Sequence, residues 1–466
     1  MDPLTLSRIQ FGLTVSFHFI YPPLSIGLGI LLVLMGIQYI RTRDAKWRRL
    51  SFFWVKIYGL IFAMGVATGI VQEFAFGTNW PIYSRFVGNV FGSLLAAEGI
   101  FAFFLEGGFL GLMLFGGNRL GPRLWLLATF LVALGAHFSA FWIVMANSWM
   151  QTPAGYVLQE TQFGLQAFMT DFASVVFTPS FIPRILHTFV ASWMTGSALV
   201  LSVGAWFLLR KRHEELGKSM IRLALPVFVV FSIFQVIFFG ARQAENVTIH
   251  QPVKLAAMEG IWNDVACAPM TVVGWLDVAN QKTYGIQIPC LLSFLAHGDF
   301  NATVQGLNSF PREMWPPLQI TFQSYHAMVN LGLVFIGIGL LATFFYFWGQ
   351  RLWTNRLVLS LLVLSVFLAV ASSIIGWWVA EFGRQPWIVW GLLRTEEAGS
   401  PVLQTHQVLL SNIMFVLVYA ILFVLFIYLL NEKIQKGPEP LEEMEERPVQ
   451  TLPDTFREIF RRRARA

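Results

Sequence analysis

With 466 residues, 56% of them hydrophobic and only 12% charged, and a mean hydropathy of +0.61, the chain carries more apolar surface than one soluble core can bury. A net charge of +6 would suit a nucleic-acid partner, but the basic residues fall in short segments beside apolar runs, a pattern that reflects membrane orientation and argues against nucleic acid. The composition predicts an all-α integral membrane protein set in a lipid bilayer.

The opening, MDPLTLSRIQ, lacks the basic cluster, short apolar run and small-residue cleavage site of a removable leader, so the first span is expected to stay. Runs of about 20 apolar residues mark membrane spans. Nine are predicted, near 10–38, 51–76, 94–116, 124–148, 184–209, 221–241, 318–347, 357–380 and 405–430. The odd-numbered connections hold RTRDAKWRR, NRLGPR, RKRHEELGK and the segment 351–356, whereas the connection 149–182 has no Lys or Arg. The positive-inside rule then puts the N-terminus outside and the C-terminus in the cytoplasm. The expected organisation is a nine-helix membrane domain over 1–430, a long outer loop over 242–316 and a cytoplasmic tail over 431–466. A loop that long is expected to be functional. Its Cys267 and Cys290 are the only two cysteines, which excludes a Cys-held metal cluster and leaves open either a disulfide or two thiols.

Polar residues inside spans are expensive and need a reason. At about 1.5 Å per residue they gather toward the outer side. His18, in SFHFIYPPL, precedes two prolines that bend the helix. Glu98 falls near the outer start of the third predicted helix, with Glu106 about 12 Å further in and about 80° around. His187 lies a turn into the fifth span, Met328 in the outer part of the seventh, and Glu381 with Arg384 at the outer end of the eighth, in GWWVAEFGRQPW. An imidazole and a thioether are the axial pair of a low-spin haem, which His187 and Met328 could supply. Each residue also has a plainer reading: Met328 is one of fifteen methionines and packs like any of them, and His18 or His187 could make an interhelical hydrogen bond. Glu98 and Glu106 suit a proton path or a pair of buried structural acids.

Taken together, LSRIQFGLTVSFHF, GTNWP, AAEGIFAFFLE, SAFWIVMANSWMQTPAGY, KLAAMEG and GWWVAEFGRQPW resemble subunit I of the cytochrome bd-type quinol oxidases. The resemblance spans nearly the whole chain before the tail. It implies a haem-bearing subunit that oxidises quinol and reduces dioxygen to water, with a proton gradient made by charge separation and no pump. His187 and Met328 match the axial ligands of a low-spin haem b. His18 and Glu381 match ligands of two high-spin haems, one of them haem b and the other haem d or a further haem b in its place. Glu98 and Glu106 match acids of the proton route, Lys254 and Glu259 match the loop that receives quinol, and Arg384 matches a cation beside the haems. The implied partners are a second large membrane subunit and small single-span subunits, and the implied location is the bacterial inner membrane.

This sequence also departs from the pattern. His326 stands where the family has arginine, and the loop lacks the insertion of the long-loop branch, which points to the short-loop branch with its cyanide-insensitive forms. Two rival readings use the same residues: a proton-coupled transporter without cofactor, and a haem protein that relays electrons without consuming oxygen.

Overall fold

In lipid every backbone N–H and C=O must be satisfied within its own segment, so apolar runs of spanning length become helices. The computed structural model describes residues 2–440 except 118 and 350. Among the described residues nine helices are long and apolar enough to cross a bilayer: Pro3–Thr42, Ala45–Thr78, Pro81–Phe115, Pro122–Gln151, Phe181–Leu209, Glu214–His250, Leu318–Phe347, Arg356–Phe382 and Thr405–Lys436. The predicted spans all recur, generally longer at their ends. The first is interrupted after His18, and Pro22 and Pro23 open its second part, Tyr21–Thr42, where a proline needs no N–H partner. Asp2 caps the first helix through the Thr5 N–H (2.8 Å), and Asn355 caps the eighth through the Val358 N–H (3.1 Å).

The spans alternate in direction, so short connections rich in Arg and Lys gather at one end and the long segments 152–180, 251–317 and 383–404 at the other. The fifth span is the most buried and the ninth the least. Backbone-to-backbone packing holds the fifth against the first, since a Cβ added at Gly27 would lie 2.1 Å from the Ser192 carbonyl oxygen and one at Gly196 would lie 2.3 Å from the Gly27 backbone.

Four expectations change. The third span begins at Pro81 rather than near 94, because SRF and GN interrupt the apolar run without stopping the helix, so Glu98 lies in mid-span. A π-helical stretch, Glu98–Phe103, follows directly, and an angle reckoned on a uniform α-helix does not carry across it to Glu106. The sixth span continues to His250, so the long loop starts at Gln251 rather than 242. The ninth helix runs to Lys436, past the predicted start of the tail, of which 441–466 lies outside the described residues.

The loop end also holds strands that the spans do not foretell. Tyr156–Thr161 pairs with Gly164–Met169, and Met270–Asp277 pairs with Lys282–Ile288, both antiparallel, with two shorter pairings beside them. A disulfide joins Cys267 to Cys290 at the base of the 270–288 hairpin.

Candidate functional site

One continuous cavity of about 1170 Å³ runs from the loop end of the bundle past mid-span, with Glu259 and Glu106 both in its lining. It exceeds the volume that a single small ligand fills, about 300–1000 Å³. All nine residues singled out from the sequence line it: His18, Glu98, Glu106, His187, Lys254, Glu259, Met328, Glu381 and Arg384.

Each side chain is placed by identifiable neighbours. Thr68 sends its own hydroxyl hydrogen to the Met64 carbonyl (2.8 Å) and lies 2.8 Å from His18 Nδ1. That hydroxyl therefore accepts from Nδ1–H and leaves Nε2 as the nitrogen free to bind a metal. His187 is placed by the fifth span, and Gln235 donates to its carbonyl oxygen (3.2 Å) from a second π-helical stretch, Gln235–Gly240. Its Nδ1 is buried without a hydrogen-bond partner of normal geometry, although the Phe239 carbonyl of that stretch lies within electrostatic reach. Met328 faces Gly376, where an added Cβ would sit 2.9 Å from the thioether sulfur. Gly383 does the same for Lys254, whose Cε would be 2.6 Å from a Cβ there. Two glycines of GWWVAEFGRQPW thus make room for two residues of the site.

Glu381 sits at the centre of the charged group. It pairs with Arg384 one turn on, and accepts from Asn147 Nδ2 (2.9 Å). Asn147 in turn accepts from Arg184, and Lys254 Nζ reaches the Ala380 carbonyl (3.2 Å). Three cations therefore surround one carboxylate. Buried charge of that sign needs a further anion, and the Arg184 Nε, buried without a partner, is a donor left over for it. Arg184 and Asn147 were missed in the sequence, although an arginine three residues before His187 in an apolar span carried the signal.

Lys254 and Glu259 lie on the short helix Pro252–Glu259 and are almost fully buried. Loss of hydration pulls the Lys254 ammonium down to about 7, helped by repulsion from Arg184 and Arg384 and opposed by Glu381. Burial pushes the Glu259 carboxyl up to about 7, against stabilising hydrogen bonds from the Tyr325 hydroxyl and the Thr271 N–H. Its Oε2 has no partner. Further down the bundle Ser139 donates to Glu98 (2.7 Å), and Glu106 packs so closely on Gly135 that a Cβ there would lie 2.7 Å from its Cγ.

His326 is buried with Nδ1 2.8 Å from the Phe322 carbonyl and Nε2 2.8 Å from the Thr271 carbonyl. Carbonyls only accept, so satisfying both takes an N–H on each ring nitrogen. His137 bonds to the Ala133 carbonyl (2.7 Å) and accepts from the Trp193 indole N–H (2.9 Å).

These donors fit haem: an imidazole nitrogen of His18 left free because Thr68 engages the other, a buried His187 imidazole, a soft thioether given room by a glycine, and a spare cationic donor for a carboxylate. Among the described residues no cluster of three His, Cys, Asp or Glu side chains could hold a bare metal ion.

A family model described as cytochrome bd terminal oxidase subunit I matches residues 6–438. The cytochrome bd ubiquinol oxidase subunit 1 of Bacillus subtilis (strain 168) is 36% identical, with 97% of this chain and 98% of that protein covered. The cytochrome bd-II ubiquinol oxidase subunit 1 of Escherichia coli (strain K12) is 33% identical over 516 residues, covering 96% of this chain and 99% of that protein. That alignment is longer than this chain, so the Escherichia coli relative contains insertions that are absent here. Among solved structures, the bd oxidase from Geobacillus thermodenitrificans superposes with a TM-score of 0.87 at 28% identity, covering 94% of this chain and 99% of that one.

Proposed function

The chain belongs to the cytochrome bd terminal oxidase subunit I family, and on that premise we propose that this cavity joins the quinol-oxidising loop to the oxygen-reducing centre. The protein is the multi-pass membrane subunit of a quinol:oxygen oxidoreductase, which takes electrons from quinol, reduces dioxygen and works with a second large subunit. Its family uses haem.

His187 and Met328 hold a low-spin haem b, while His18 and Glu381 hold the two high-spin haems, one of type b and one of type d or b. Bound haem supplies the one-electron chemistry that side chains lack. Arg184 and Arg384 supply fixed guanidinium groups for haem carboxylates. Glu381 accepts from Arg384 and Asn147, and the lone pairs left on its carboxylate would be the ones offered to iron. At the loop, the partnerless Oε2 of Glu259 accepts the proton that a quinol hydroxyl loses on oxidation. Lys254 positions the same ring from the other end of the helix Pro252–Glu259. Glu106 and Glu98 pass protons for water inward from the basic end, which is the cytoplasmic one. Small single-span subunits and a bacterial inner-membrane location complete the proposal.

The observation that carries this reading is the continuity of the cavity from Glu106 to Glu259. A dithionite-reduced spectrum with pyridine haemochrome analysis, paired with oxygen uptake on quinol, tests it. We expect haem bands and quinol-dependent uptake. Bands without uptake would leave an electron relay, and no bands would leave a cofactor-free transporter.

A further inference from the structure

The hairpin of strands Met270–Asp277 and Lys282–Ile288 has an apolar face that quinol oxidation does not explain. Val273 pairs across with Ile286 and Trp275 with Tyr284, and Ile288 stands at the base opposite Met270. These five side chains, Val273, Trp275, Tyr284, Ile286 and Ile288, are 45–70% exposed, whereas Thr271 and Leu276 on the other face are buried.

The seventh span sets the depth of this face. Gln323 Nε2 donates to the Gly274 carbonyl (2.9 Å), His326 Nε2 to that of Thr271 (2.8 Å) and Asn330 Nδ2 to that of Val272 (2.9 Å). Spacings of three and four put the donors on one helix face. Val272 and Gly274, two residues apart, point their carbonyls off the same strand edge. An open strand edge is not tolerated in hydrocarbon, and Gln323, His326 and Asn330, in the more polar outer half of the span, close that edge. From Gln323 to Asn330 the edge covers about 10 Å of helix, starting about 8 Å below Leu318.

Past the irregularity at 271–273, Asn330 holds Val272 and Gln323 holds Gly274, so from there the strand climbs toward the loop end of the helix up to Asp277. Along this climb Ile286 and Val273 are deepest, Trp275 and Tyr284 come next, and Asp277, Asn280 and Lys282 lie at the tip. Aliphatic, then aromatic, then charged is the order of side chains from the interior of a leaflet to its surface. One turn below Asn330, on the same helix face, the exposed Leu333 and Val334 continue the apolar surface inward.

We propose that this hairpin is an interfacial membrane anchor, its apolar face set in the phospholipid leaflet at the loop end. The anchor ties the loop to the bilayer at a fixed depth. Through Thr271, whose carbonyl accepts from His326 and whose N–H faces Glu259, it also links that depth to the loop carboxylate.

A photoactivatable diazirine amino acid placed at 286, at 273 and at the tip position 280 of the complex in proteoliposomes tests the anchor by mass spectrometry. Haem content confirms assembly of each variant, and 273 serves if 286 fails to assemble. We expect phospholipid adducts at 286 and 273 and only water adducts at 280. Water adducts at 286 and 273 would overturn the proposal, as would cross-links to the second subunit or to another copy of this chain. The readout needs no turnover, so it stands or falls apart from the quinol reading.

Discussion

Gly376 decides whether Met328 can occupy its place, because any side chain there meets the thioether sulfur. Gly376→Val should push Met328 aside, and Met328→Leu should remove the sulfur altogether. For both we expect the low-spin haem to be retained through His187 but shifted toward five-coordination in the reduced spectrum; an unchanged low-spin signal in Met328→Leu would take that residue off the ligand set. Glu259 makes a prediction of a different kind. A carboxyl held at about 7 by burial is neutral below that pH and becomes a proton acceptor above it. Quinol oxidation should therefore rise as pH increases through about 7 in the native enzyme. Glu259→Gln should keep its haems, lose most of the activity and lose that rising limb. Lys254 gives up its charge over the same range, so the amide variant is needed to isolate the carboxyl. Normal turnover in Glu259→Gln would count against the loop assignment.

At the scale of elements, what could be read from the sequence was what depends on composition. Long apolar runs announced all nine spans, and Pro22 and Pro23 announced the break after His18. The two π-helical stretches, Glu98–Phe103 and Gln235–Gly240, could not be read, because an extra residue in a turn leaves no local signature. Both border the cavity, one beginning at Glu98 and the other bonded to His187. The loop strands were hidden for another reason: their pairing depends on the seventh span, whose Gln323, His326 and Asn330 hold the strand edge. The pairing of Cys267 with Cys290 was left open by spacing alone, and the fold closes it. Closing a loop of that size contributes roughly 3 kcal/mol by restricting the unfolded chain. The double serine variant should thus show faster proteolysis within 251–317 and a lower thermal midpoint than the native protein under non-reducing conditions. Equal protease resistance would mean that the loop is held by its contacts alone.

Across the whole molecule the arrangement is vectorial. Motif resemblance gave the nine residues one by one, but not that a single cavity connects them, nor that Arg184 and Asn147 complete the charged group around Glu381, since these depend on how the fourth, fifth and eighth spans meet. The loop carboxylate and the proposed haem ligands lie toward one end of the bundle, while Glu106 reaches toward the basic end. Quinol protons then leave on the loop side and protons for water enter from the other, so each turnover separates charge without a pump. The most direct test is the membrane potential generated when the purified complex, reconstituted in liposomes, oxidises quinol with oxygen. We predict a potential, positive on the loop side, that rises with oxygen uptake and collapses with a protonophore. Oxygen uptake at full rate with no potential would contradict the arrangement.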